Sequence, residues 1–229
     1  MVCCSFSLAE GRKYSCADHD WNDVVVKSSL DGGRSWGNIT VVYSLHRRGY
    51  PYIIGNPSPV VAPDGTVVVF MTHGDHTVLV STSRDGVDWS VPRDITHNTS
   101  STKWPTVFTG PSGAAVVSAP GDYTGSRSRL MVCCAHSGGR AKGGTHTFYS
   151  DDMGRTFHPG SSSDYGAECE VAELSPGKLV MSTRNHHQGK TAPYRLYGLS
   201  TDFGKTFNFA EHKDLPDPNC EGSVVRIYH

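Results

Sequence analysis

The sequence predicts an all-β chain of repeated four-stranded sheets, the architecture of a β-propeller, from three observations. One short phrase, Ser-x-Asp-x-Gly-x-Ser/Thr-Trp/Phe, occurs four times. Short runs rich in β-branched residues recur between the copies. No window sustains the 3.6-residue apolar period of an amphipathic helix.

The phrases are Ser29-Leu30-Asp31-Gly32-Gly33-Arg34-Ser35-Trp36, Ser83-Arg84-Asp85-Gly86-Val87-Asp88-Trp89, Ser150-Asp151-Asp152-Met153-Gly154-Arg155-Thr156-Phe157 and Ser200-Thr201-Asp202-Phe203-Gly204-Lys205-Thr206-Phe207. The second is one residue shorter than the others. Their aspartates stand 54, 67 and 50 positions apart, and a period of roughly 57 residues gives about four supersecondary units. Each phrase reads as a hairpin turn with an anchor: the Asp carboxylate accepts nearby backbone N–H groups, Gly takes the positive φ, and the aromatic tucks under the turn. These aspartates are turn anchors before they are catalytic acids.

The flanks supply the strands. Asp23-Val24-Val25-Val26-Lys27-Ser28 and Thr77-Val78-Leu79-Val80-Ser81 run into their turns, and Pro59-Val60-Val61, Thr66-Val67-Val68-Val69-Phe70, Arg129-Leu130-Met131-Val132-Cys133 and Lys178-Leu179-Val180-Met181 are further β-rich runs. Scattered Gly (25) and Pro (13) supply the frequent turns that such short strands require.

A formal net charge of −1 with 19% charged residues argues against a nucleic-acid or polyanion binder. No apolar run reaches the length of a membrane-spanning helix. The N-terminus lacks the basic and apolar regions of a signal peptide and reads as a strand in progress. Seven cysteines without a C-x-x-C spacing read as buried free thiols, not a metal clip. His19, His73, His76, His186 and His187 carry no metal-ligand spacing and read as loop histidines, and Gly138–Gly144 reads as a mobile hairpin loop, not a phosphate loop. No metal or cofactor is implied. Asn38-Ile39-Thr40 and Asn98-Thr99-Ser100 are glycosylation sequons, meaningful only in a secretory compartment.

Two stretches place ionisable groups where a propeller binds ligands, at one mouth of its central channel. In the first, Glu10 and Arg12 share a strand face, and a polar loop then carries Asp18, with Asp20 two residues on. The second, 166–184, is a hairpin turning at Ser175-Pro176-Gly177, which brings Glu168 and Arg184 to the same sheet edge. Glu170 and Glu173 have equal access by pattern, and pattern alone does not choose among the three carboxylates. Arg12 or Arg184 taken singly reads as a surface salt bridge.

The ordered set of motifs resembles the Asp-box sialidases, in the flavour of bacterial secreted and animal lysosomal enzymes. It comprises Ala9-Glu10-Gly11-Arg12 with Asp18, Gly55-Asn56-Pro57-Ser58-Pro59-Val60-Val61, Thr109-Gly110-Pro111-Ser112-Gly113, Arg129-Leu130-Met131-Val132, Glu168-Cys169-Glu170-Val171-Ala172-Glu173-Leu174 leading to Arg184-Asn185, and Leu215-Pro216-Asp217-Pro218-Asn219-Cys220-Glu221-Gly222-Ser223. The resemblance implies a six-bladed β-propeller of which residues 1–229 carry about four blades as one domain. It implies exo-α-sialidase activity, the retaining hydrolysis of terminal sialic acids from glycoconjugates, without a cofactor. Arg12 and Arg184 resemble two members of the arginine triad that grips the sialic acid carboxylate, for which a planar, permanently charged guanidinium is suited. Asp18 resembles the acid/base and Glu168 the base for a tyrosine nucleophile, an exception to the two-carboxylate scheme. A neutral phenol approaches the carboxylate-bearing anomeric carbon without charge repulsion.

In this family an Arg-Ile-Pro strand precedes the position of Leu8, and the third arginine and the tyrosine follow the 215–223 stretch. Tyr14, Tyr165, Tyr194, Tyr197 and Tyr228 do not match the nucleophile's place, so the expectation is an internal piece of a sialidase or a truncated gene product. The same residues serve a trans-sialidase. The competing class is a sialidase-like glycan-binding propeller without catalysis. A secreted or lysosomal parent is compatible with the resemblance.

Overall fold

The computed structural model describes residues 2–6, 22–45, 53–138, 142–187 and 190–227. Arg12 and Asp18, with Glu10, His19 and Asp20, lie outside them. The described chain forms four antiparallel meander sheets in sequence order. The first holds β1 (Val2–Phe6), β2 (Asp23–Lys27) and β3 (Thr40–Tyr43). The second holds β4 (Ile54–Val61), β5 (Val67–His73), β6 (Thr77–Ser83) and the short β7 (Arg93–Asp94), followed by one helical turn, α1 (Thr96–Thr99). The third holds β8 (Thr106–Ser118), β9 (Ser128–Gly138), β10 (Lys142–Ser150) and β11 (His158–Ser163). In the fourth, β12 (Cys169–Ser175) and β13 (Lys178–Thr183) precede a small ladder of β14 (His186–His187) and β15 (Lys190–Thr191), and β16 (Tyr194–Ser200) and β17 (Asn208–Pro216) complete the sheet.

Each phrase joins the last two strands of its sheet. In the second to fourth sheets it follows the third strand, and in the first it follows β2, so β1, β2 and β3 correspond to the second, third and fourth strands of the others. The expected four-stranded unit is therefore met three times, and among the described residues the first sheet has three strands.

The turn chemistry is that expected from the residues. Ser150 Oγ accepts the Gly154 N–H at 2.8 Å and donates to Asp152, whose carboxylate accepts the Thr156 N–H at 2.8 Å and its hydroxyl at 2.6 Å. Ser200, Asp202, Gly204 and Thr206 repeat this arrangement. The shorter second phrase lacks the final hydroxyl residue, and Asp85 instead accepts the Val87 and Asp88 N–H groups. Partial burial raises the Asp152 and Asp202 carboxyls, but the bonds from Thr156 and Thr206 outweigh it and hold both at about 2. A group locked in its charged form by its own turn is an anchor.

The anchored aromatic seats the sheets on one another. Trp89, from the second sheet, packs into the core shared with the first, among Val24, Val26, Val69 and Met71. Phe157, from the third, is 4% exposed and meets Phe70 of the second and Phe148 of its own sheet edge-to-face, with centroids at 5.6 and 5.9 Å. Phe207, from the fourth, packs against Met131 of the third and Leu179 of its own sheet. The second, third and fourth phrases thus each close the interface with the preceding sheet. Trp36, with no described sheet before it, stays 42% exposed.

Strands between two such cores feed both. Along β5, Val68 and Phe70 enter the core with the third sheet, while Val69 and Met71 enter the core with the first. Along β9, Leu130, Val132 and Cys134 face the second sheet, while Met131 and Cys133 face the fourth. Period-two alternation with both faces buried explains why these strands read as unbroken apolar runs. Arg129, at the edge of this packing, is clamped by Asp151 at 2.8 and 2.9 Å and lies between the rings of Tyr149 and Phe203, tying the third sheet to the fourth turn.

Several local expectations change. Cys133, Cys134 and Cys169 are buried free thiols, but Cys220 is exposed because it lies on the irregular segment after β17. His73, His186 and His187 lie in strands, not loops. His136 and His146, on neighbouring strands, form an interior pair with Nδ1 atoms 3.2 Å apart, and Trp104 stacks on His136 at 3.9 Å.

Two predictions follow from this packing. Gly204 has φ of +79°, and a Cβ there overlaps Met131 Cε and presses on Leu179, whereas Gly32, at φ +71°, has nothing within 4 Å. Gly204→Ala should cost about 2–4 kcal/mol, from left-handed strain plus overpacking, and Gly32→Ala only about 1 kcal/mol, from strain alone; urea unfolding measures both. Burial holds the His136 imidazole at about 4 and His146 well below its ordinary 6.5. Protons therefore bind the unfolded chain first, so the stability contributed by the neutral pair is full above about 6.5 and is lost as pH falls toward 4. Melting temperature should fall by about 4–8 °C between pH 7.5 and 5. His146→Gln should flatten that fall, although Glu170 and Glu221, whose raised carboxyls pull the other way, remain in both proteins.

Candidate functional site

The site grows from the register of one hairpin. Cys169 of β12 pairs with Thr183 of β13, and the ladder continues one residue beyond, where the Arg184 N–H donates to the Glu168 carbonyl at 2.9 Å. Cys169 and Met181 turn into the core with the third sheet. By alternation Glu168, Glu170, Ser182 and Arg184 share the opposite face. The hairpin turn falls at Pro176-Gly177, with Gly177 at φ +79°.

The structure thus brings together two of the four sequence-predicted site residues. Arg184 Nη1 donates to both oxygens of Glu168, at 3.1 and 2.9 Å, and the two side chains are 23% and 22% exposed. The ion pair anticipated for an isolated arginine is therefore real, and its partner is the carboxylate chosen for the site. Arg12 and Asp18 lie outside the described residues.

The three carboxylates of β12 and its approach are not equivalent, against the expectation of equal access. Glu170 accepts the Val224 N–H at 2.6 Å, and its burial raises its carboxyl. Glu173 accepts the Ser118 N–H at 2.6 Å, pairs with Arg226 at 3.3 Å, and is only 11% exposed. Both are consumed in holding neighbouring segments. Glu168 is 22% exposed, twice the exposure of Glu173, and lies against the Arg184 guanidinium.

Four further residues complete the cluster. Arg195 of β16 is buried, with its Nε donating to Ser182 Oγ at 3.1 Å and its Nη1 to the Cys220 carbonyl at 2.6 Å. Asp217 lies 3.7 Å from Arg195 Nη1 and accepts the Asn185 N–H at 2.6 Å. Asn219 Oδ1 accepts Arg184 Nε–H at 2.9 Å. The Glu221 carboxyl is raised, first by desolvation and then by the charge of Glu168, with Arg195 opposing. Sequence reasoning marked the 215–223 stretch but assigned its side chains no role. The available signal was Asp217-Pro218-Asn219, an Asx-turn sequence, and Arg195, a charge set in an otherwise apolar strand.

Chemically the cluster offers a positive fork next to a carboxylate. Arg184 has Nε and Nη1 engaged, and among the described residues no hydrogen bond engages Nη2. That edge can receive a ligand carboxylate, while Glu168 can accept a proton from a neighbouring hydroxyl.

Comparison with known proteins identifies the family. The model of the BNR repeat-like domain matches residues 13–228. The chain is 29% identical to a sialidase of Micromonospora viridifaciens over 90% of its own length and 34% of that protein's. It is 27% identical to human Sialidase-4 over 96% of its length and 50% of the relative's. It therefore spans about a third to a half of the length of these relatives. Among solved structures, the Hadza microbial sialidase Hz136 shares the fold at a TM-score of 0.76, with 21% identity over 92% of this chain and 44% of that one. The chain belongs to the BNR-repeat family of exo-α-sialidases.

Proposed function

We propose that this chain forms the substrate-gripping part of an exo-α-sialidase, on about four blades of a six-bladed β-propeller, and acts in retaining hydrolysis of terminal sialic acids from glycoconjugates. The observation that carries the reading is the Glu168–Arg184 pair, set sixteen residues apart on one hairpin, with the Nη2 edge of the guanidinium unengaged among the described residues. The meander order of the sheets and the position of the phrase in each support the propeller.

In this reading Arg184 and Arg12 grip the sugar carboxylate. A planar fork matched to two oxygens orients as well as attracts, so the anomeric carbon is held at a fixed place and angle. Asp18 protonates the departing glycosidic oxygen and then activates water. Glu168 takes the proton from a tyrosine nucleophile, expected after the 215–223 stretch. Arg184, at 2.9 Å, holds the Glu168 carboxylate in a fixed position beside the ligand site.

Calorimetric titration of the chain with N-acetylneuraminic acid and with its methyl ester tests the reading. The ester keeps the ring and removes the charge, so the acid should bind at least about tenfold more tightly. Arg184→Gln should erase most of that difference. Equal affinity for acid and ester in the unaltered chain would sink the proposal.

A further inference from the structure

The segment after β17 does more than cross the face of the fourth sheet. Arg184 presents a flat, five-donor group on a flexible stem, and the Glu168 contact alone, through a single nitrogen, leaves its plane free to turn. A second fixed point comes from Asn219, whose Oδ1 accepts Nε–H at 2.9 Å. Asn219 itself sits at φ +57°, a left-handed conformation that asparagine tolerates better than most residues and that local hydrogen bonds hold in place.

Those surroundings are explicit. Asp217 accepts the Asn219 N–H at 2.7 Å through one oxygen, and through the other accepts the N–H of Asn185, the residue that follows Arg184 in the chain. One buried carboxylate, 1% exposed, thus ties the turn to the backbone that carries Arg184. Arg195, 6% exposed, faces the same carboxylate and donates to the carbonyl of Cys220, closing the turn from its far side. Its Nε is held by Ser182 of β13, two residues before Arg184. Both ends of the device are therefore rooted next to the clamp, one on Ser182 of β13 and the other on Asn185 just beyond it.

We infer that the Asp217–Cys220 turn is a positioning element for Arg184: Asn219 sets the plane of the guanidinium, and Asp217 with Arg195 holds Asn219 in place, so that the Nη2 edge faces a ligand carboxylate. This rests on the reading of Arg184 as a carboxylate clamp. Asp217, Asn219 and Arg195 act through Arg184 and do not contact the sugar. The orientation matters because a bidentate grip has little tolerance for rotation, while a point charge has much.

The test uses the whole chain and two readouts. Asn219→Gly removes the amide while suiting the left-handed backbone, and Asn219→Asp restores an acceptor. In nitrogen-15 spectra the Arg184 Nε–H should exchange slowly with solvent, become at least tenfold faster in Asn219→Gly, and recover in Asn219→Asp. Affinity for N-acetylneuraminic acid should fall about tenfold in Asn219→Gly, with affinity for its methyl ester unchanged. Unchanged Nε–H exchange in Asn219→Gly overturns the inference whether or not any sugar binds. Equal losses for acid and ester overturn it as well, because they mark general damage to the site. If Arg184→Gln weakens acid binding and Asn219→Gly does not, the positioning role fails and the clamp stands. If Arg184→Gln has no effect, the clamp itself fails and the positioning role fails with it.

Discussion

The hydrogen bonds inside each Ser-x-Asp turn decide where an aromatic ring goes, and the rings decide how the sheets stack. A serine hydroxyl and an aspartate carboxylate fold back the backbone N–H groups of the next few residues, which forces the chain to double under itself. The ring that follows then reaches the preceding sheet. Phe157 between Phe70 and Phe148 shows the consequence: a local turn fixes the contact with Phe70, 87 positions away along the chain. Such rings contribute beyond their buried area through edge-to-face geometry, about 0.5–1.5 kcal/mol each.

Stacking in that order has a chemical result. The second and third sheets lie between neighbours and spend both faces on packing, whereas the fourth packs one face on the third and carries polar groups on its other face and at its strand ends. Glu168 and Arg184 are such ends, one just before β12 and the other just after β13. The core beneath them, Cys169 and Met181 against Cys133, fixes the backbone of both strands. The ion pair is therefore presented by a rigid hairpin, which suits a group that must hold a substrate in one orientation.

Much of the fold was legible in the sequence because its determinants are local. Ser150, Asp152, Gly154 and Thr156 lie within seven residues, and the β-branched runs beside them announce their strands. The Glu168–Arg184 pair was legible for a related reason, since a tight hairpin turns separation along the chain into register across it. The latch on Arg184 was not. Asn219 lies 35 residues from Arg184 and Asp217 lies 32 from Asn185, on a segment without regular structure, so no period or turn signal connects them. The interior pair His136 and His146 was hidden for the same reason, because Trp104, which stacks on it, comes from a loop. The differing duties of Glu168, Glu170 and Glu173 depend on which backbone N–H each one meets, and only the folded chain determines that.

What this molecule does turns on whether the open edge of one guanidinium holds the acid group of a sugar. A crystal structure of the chain grown with N-acetylneuraminic acid addresses this most directly. The expected result is a sugar carboxylate oxygen at about 2.7–2.9 Å from Arg184 Nη2, with Glu168 and Asn219 still in place on the other nitrogens. A sugar whose carboxylate faces solvent, or which binds on another surface while Arg184 keeps only its protein partners, contradicts it.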